Sequence, residues 1–190
     1  MRTFIAIELP EAARTSLHDF SELLRRKGMH ATWVKPEAMH LTLRFLGDIT
    51  EEQAGTLSSV LAESYADTDA PVLLIRGVGA FPSVKKPNIL WAGVETVQGN
   101  VDVLQQAAEF GARGIGLVPE TKKFHPHITL ARFKKTEDSR LASQHIMPYM
   151  GEQIAPEFGY EFRASNVVLF SSTLTKTGPI YKKLREFPLL

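Results

Sequence analysis

Apolar residues recur along this chain in two periods, every second position and every third or fourth, and the switches between them mark out its elements. Thr3 to Leu9, rich in Phe and Ile, has the short apolar run of a buried strand. Pro10-Glu11 then opens a helix expected to reach Lys27, because proline suits a first helical turn and Gly28 suits its end. Met39 to Leu46 alternates as a strand and runs into a Gly47-Asp48 turn. Thr50, with Gln53 three residues on, has the spacing of a capping box for a helix to about Tyr65. Val72 to Val78 is the next strand.

The second half repeats the order. Asn88 to Glu95 is a strand, and Val97 to Gly111 is a helix with Val97, Val101, Leu104 and Ala108 on one face. His127 to Phe133 is a strand and Glu137 to Met150 a helix. Phe158 to Phe162, Val167 to Leu174 and Ile180 to Phe187 are closing strands. A shift of 87 positions superimposes the halves: Phe4 falls on Trp91, His40 on His127, Thr42 on Thr129, Glu51 on Asp138 and Val72 on Gly159. We read this as two related α+β halves, about 1–85 and 86–190, of a single domain. The turn-rich segment Gly79 to Asn88 is the expected hinge or junction between them.

Composition narrows the chemistry. The 190 residues are 44% apolar and 23% charged, ordinary for one globular domain. A net charge of +1 argues against a polybasic nucleic-acid binder but leaves room for a local phosphate patch. There is no cysteine, so disulfides, thiolate nucleophiles and cysteine-bound zinc are excluded, and a reducing cytoplasm is the expected setting. The first residues, Met1 to Glu8, are too short an apolar stretch for a signal peptide. No run approaches the roughly 20 apolar residues of a membrane helix.

Two segments carry candidate chemistry: Met39-His40-Leu41-Thr42-Leu43 and Pro126-His127-Ile128-Thr129-Leu130. In a strand, residues two apart share a face, so each His-x-Thr presents an imidazole and a hydroxyl together while Leu41 and Ile128 point the other way. Two such strands facing each other suit phosphodiester hydrolysis. One histidine can take a proton from water, the other can protonate the leaving oxygen, and the threonines can donate to non-bridging oxygens. A third match, His30-Ala31-Thr32, has no counterpart 87 positions on and reads as a loop histidine at a strand start. His125-Pro126-His127 could begin a metal site, but no third ligand is evident, so no metal or cofactor is expected. His18 and His145 fall in helices and read as surface residues. Arg44, four after His40, shares the His–Thr face of a regular strand; Arg132, five after His127, shares it only if a bulge intervenes.

With these motifs placed, the chain resembles the two-histidine (2H) phosphoesterases, in particular the RNA 2',3'-cyclic phosphodiesterases long called 2'-5' RNA ligases. The matching pieces are Arg2-Thr3-Phe4-Ile5-Ala6-Ile7, His40 through Gly47, Phe124 through Arg132, and Gly178-Pro179-Ile180-Tyr181. The resemblance implies a two-lobed α+β fold with antiparallel sheets, outer helices and a cleft carrying both motifs. It implies opening of a 2',3'-cyclic phosphate to a 2'-phosphate, with reverse 2'-5' ligation. It assigns His40 as proton donor, His127 as acceptor and Arg132 as a phosphate contact. It also implies an RNA partner with a cyclic-phosphate end, tRNA fragments among the candidates, and a monomer that needs no membrane. The rival readings are the same chemistry on a small cyclic nucleotide or a 2'-5' oligonucleotide, a non-catalytic RNA-end binder, and a metal-dependent hydrolase.

Overall fold

The computed structural model describes residues 1–134, 136–150, 158–176 and 178–190. In chain order its elements are β1 (Arg2–Glu8), α1 (Glu11–Arg26), β2 (Thr32–Trp33), β3 (His40–Asp48), α2 (Glu51–Tyr65), β4 (Val72–Ser83), β5 (Lys86–Gln98), α3 (Val101–Gly114), β6 (His127–Arg132), α4 (Thr136–Ile146), β7 (Tyr160–Arg163), β8 (Asn166–Thr175) and β9 (Gly178–Pro188). Short 3-10 turns at Pro36–Ala38 and Met147–Tyr149 precede β3 and follow α4.

Local chemistry accounts for most boundaries. The Thr50 hydroxyl accepts from the Gln53 amide at 3.1 Å, and the Gln53 side chain accepts from the Thr50 amide at 3.0 Å, which closes the expected capping box. Three expectations are corrected. Val97 does not begin a helix: β5 continues to Gln98, Gly99 turns the chain at φ +77°, and Asn100 caps α3 by accepting from the Asp102 amide at 2.9 Å. Gly79 to Asn88 is no hinge either. It forms the end of a long β4–β5 hairpin that turns at residues 84–85, because the strands keep pairing through Phe81, Pro82 and Ser83. α4 stops at Ile146, two residues before Pro148, which lacks the amide hydrogen a longer helix would use.

The strands form one antiparallel path, β7-β4-β5-β6-β3-β1-β8-β9, with β2 added beside β6. It divides into two lobes, β3-β1-β8-β9 and β6-β5-β4-β7. The lobes are not the sequence halves. β4, from the first half, pairs with β5, and the C-terminal β8–β9 hairpin pairs with β1. Helices cover one face of both lobes over a continuous core that includes Ile5, Ile7, Leu41, Leu43, Ile128 and Leu130. The opposite face carries a small hydrophobic cluster of Phe4, Ala6, Val168 and Phe170, with Tyr181 packed against it. Among the described residues, no helix is long and apolar enough to cross a membrane.

The open face is closely fitted where β4 passes Trp91. Gly79 lies directly opposite Trp91, and a Cβ on it would clash with the indole, whose nearest atoms lie in its way. Gly79→Ala should therefore lower stability by about 1–3 kcal/mol, the range for an overpacked site, as read by urea or thermal unfolding. Adding Trp91→Leu should recover part of that loss.

Candidate active site

The two His-x-Thr motifs meet at the centre of the sheet. β3 and β6 pair there through Leu41 and Ile128, both fully buried on the helix side. Continuing that antiparallel register by one residue each way sets His40 opposite Thr129 and Thr42 opposite His127. The four polar groups thus alternate around one point on the open face.

Both imidazoles are held alike. Nδ1 of His40 donates to the carbonyl oxygen of Ala38 at 2.8 Å, and Nδ1 of His127 donates to that of His125 at 2.6 Å. A carbonyl can only accept, so each ring carries its hydrogen on Nδ1 when neutral and leaves Nε2 free for chemistry. The surroundings differ. Phe4 stacks on His40 with centroids 4.7 Å apart, and Tyr181 meets it edge-on at 5.3 Å. Phe81 meets His127 edge-on at 5.1 Å, and Trp91 lies 6.1 Å away. The buried Trp91 Nε1 finds no acceptor among the described residues. Burial lowers the His40 pKa to about 4, with the charges of His127 and Arg132 adding to it against the Ala38 hydrogen bond. His127 is also lowered, chiefly by burial and then by the charges of His125 and Arg132, against its own carbonyl bond.

A matched pair of bulges decides between the arginines. Ile5 pairs with Arg44 and Ala6 with Thr42, which leaves Leu43 unmatched. Leu90 pairs with Ala131 and Trp91 with Thr129, which leaves Leu130 unmatched in the same way. An extra residue reverses the alternation beyond it. Phe45 and Arg132 therefore return to the open face, while Arg44 turns to the helix side. This corrects the regular-strand reading that put Arg44 beside His40 and Thr42. Its Nε donates to Glu109 of α3 at 2.6 Å, Nη1 to the carbonyl of Phe45 at 2.8 Å, and Nη2 to that of Val118 at 2.7 Å. Arg44 thus ties α3 and the following loop to β3. Arg132 is exposed and has no ion-pair partner among the described residues, and its charge acts on His40, His127 and Tyr181 together.

The third match, His30-Ala31-Thr32, lies at the rim. Thr32 pairs with Arg132 across β2 and β6, and His30 and Thr32 are exposed. His18 and His145 lie in α1 and α4. Among the described residues no three His, Asp or Glu side chains converge. Sequence reasoning gave no site role to Phe81, Phe170 or Tyr181, which reach the site from β4, β8 and β9. The overlay of Phe4 on Trp91 does not survive in register: Trp91 stands opposite Thr129, whereas Ala6 stands opposite Thr42.

The family described as LigT like Phosphoesterase matches residues 7–91 and 93–181. A protein of Aquifex aeolicus (strain VF5) named RNA 2',3'-cyclic phosphodiesterase is 34% identical over 179 residues, covering 92% of each chain. One of the same name from Thermotoga maritima is 32% identical over 190 residues, covering 98% of this chain and 94% of its own. The crystal structure of TT0787 of Thermus thermophilus superimposes with a TM-score of 0.77 at 27% identity, covering 100% of this chain and 98% of its own.

The two arginines should separate experimentally. Arg44→Ala removes the cation from the largely buried Glu109 carboxylate, leaving it the Glu120 amide, and should cost about 3 kcal/mol in unfolding measurements. Arg132→Ala, which removes an exposed side chain, should change stability by less than about 0.5 kcal/mol. The buried His40 also makes stability depend on pH. Its pKa is about 6.5 unfolded and about 4 folded, so the unfolded chain takes up the proton first as pH falls. Stability is undiminished above pH 6.5 and falls between 6.5 and 4, by up to about 3 kcal/mol. From pH 7.5 to 4 the melting temperature of the wild type should fall relative to that of His40→Gln; parallel curves would contradict the assignment.

Proposed function

The chain belongs to the LigT-like phosphoesterases, the two-histidine family, and from that premise we propose that it hydrolyses 2',3'-cyclic phosphates at RNA ends to 2'-phosphomonoesters. The observation that carries this reading is the pair of imidazoles anchored by carbonyls through Nδ1, set across from two threonines beside the Arg132 guanidinium, which has no ion-pair partner among the described residues. Full-length relatives named for this activity support the substrate.

In the hydrolytic step, Nε2 of His127 takes a proton from water as its oxygen attacks phosphorus. The bond to the 3'-oxygen breaks, and protonated His40 returns a proton to that oxygen. One water is consumed, and the products are a 2'-phosphate and a 3'-hydroxyl. Thr42, Thr129 and Arg132 donate to the non-bridging oxygens, where negative charge accumulates. Burial that lowers the His40 pKa makes its imidazolium a ready proton donor, and the substrate's negative phosphate favours that imidazolium while bound. With donor and acceptor both supplied by histidine, the step needs no metal. A 5'-hydroxyl in place of water runs the same step toward a 2'-5' linkage. Phe45, 62% exposed on the His40 face and 6.1 Å from Phe4, offers a shelf on which a terminal base can stack.

Hydrolysis of a cyclic-phosphate RNA should persist in chelator and yield 2'-phosphate ends; loss of turnover restored by added metal, or mainly 3'-phosphate ends, would count against the reading. Both histidines titrate low in the free enzyme, so the bell-shaped kcat/KM profile should centre below pH 6.5. The kcat profile, which reports the anionic complex, should lie at higher pH. Coincident profiles centred above pH 8 would rule out histidines as the acid–base pair. Removing His40 should abolish the limb that needs an acid and removing His127 the limb that needs a base, and losing both should be little worse than the worse single loss.

A further inference from the structure

Each imidazole in the cleft has one aromatic ring edge-on to it, with almost the same geometry. Tyr181 meets His40 at 5.3 Å and 86°, and Phe81 meets His127 at 5.1 Å and 86°. The caps come from different strands, β9 and β4. They differ by one oxygen.

That oxygen is placed for a ligand. Tyr181 stands opposite Ser172 on β8, and its ring packs edge-on against Phe4 at 4.9 Å, on the open face beside His40. Its hydroxyl has no hydrogen-bond partner among the described residues. A phenol with no role beyond packing could be phenylalanine, as at position 81. The groups whose charges reach Tyr181 are Arg132 and Arg2, both cationic, so an anion is the favoured neighbour. Burial raises the phenol pKa, which keeps it a neutral O–H donor at working pH.

We infer that the Tyr181 hydroxyl donates a hydrogen bond to a non-bridging oxygen of the bound phosphate, on the His40 side of the cleft and opposite the Arg132 guanidinium. This makes Tyr181 a phosphate-binding residue, and it deepens the reading of the cleft as a cyclic-phosphate site. The two halves already differ in that Arg132 faces the cleft and Arg44 does not, and the Tyr181 hydroxyl adds a second difference: it holds the phosphate with one ester oxygen turned toward His40.

Tyr181→Phe keeps the ring that packs on His40 and removes only the donor. Its melting temperature should match the wild type. Its affinity for inorganic phosphate, titrated calorimetrically or through the imidazole NMR signals, should fall about ten-fold, as for one lost hydrogen bond to a charged group. Turnover of adenosine 2',3'-cyclic phosphate should fall about a hundred-fold, as for one lost donor to developing charge. Unchanged phosphate affinity in a folded variant would overturn the inference, whether or not the wild type turns over the substrate. If phosphate binding depends on Tyr181 but the wild type leaves cyclic phosphate intact, the inference stands and the proposed reaction fails. If the wild type hydrolyses it and Tyr181→Phe binds phosphate equally well, the reaction stands and the inference fails.

Discussion

The pairing of Leu41 with Ile128 is the constraint on which the site depends. Among the described residues it is the one pair that joins β3 to β6, and it holds the two lobes in a single register. The alternation of an antiparallel ladder does the rest: with the apolar pair facing the helices, the flanking histidines and threonines must face the cleft and stand across from one another. A slip of one residue in either strand would send the imidazoles into the core and bring Leu41 or Ile128 to the open face. The cost of burying those polar groups, added to that of exposing a buried leucine or isoleucine, protects the register.

The bulges extend this logic beyond the motifs. A regular strand would bring Arg44 to the cleft and send Arg132 to the core side. One unmatched leucine in each strand reverses both outcomes. Arg44 is then consumed by structure, with Glu109 and two carbonyls as partners. Arg132 is left without an ion partner among the described residues, within electrostatic reach of both histidines. The same residue type at neighbouring motif positions thus does opposite work, and the difference lies in backbone phase rather than in the side chain.

The exchange of strands between the lobes matters to the chemistry as well. Because β8 and β9 return to β1, the C-terminal hairpin supplies Phe170 and Tyr181 to the His40 side. Because β4 pairs with β5, the first half supplies Phe81 to the His127 side. Each imidazole is thus walled in part by the other half of the chain, which gives the two rings different burial although their carbonyl anchors are the same. An acid and a base built from identical residues require such a difference, since only the surroundings can separate their protonation.

The sequence by itself determined what depends on near neighbours. The two-residue period put each histidine with its threonine, Thr50 and Gln53 announced a capped helix, and the 87-residue shift paired the motifs before any coordinates. The resemblance carried by those motifs named the family. Tertiary structure decided what depends on distant partners: that Asn100 rather than Val97 starts α3, that Gly79 to Asn88 belongs to a hairpin, which arginine faces the cleft, and that Tyr181 caps His40. A bulge is a mismatch between two strands, so neither strand's own sequence discloses it. The burial that lowers the histidine pKa values is likewise a sum over residues far apart in the chain. Periodicity is local and is written along the chain; backbone phase across a sheet and the dielectric around a buried ring exist only once the chain has folded.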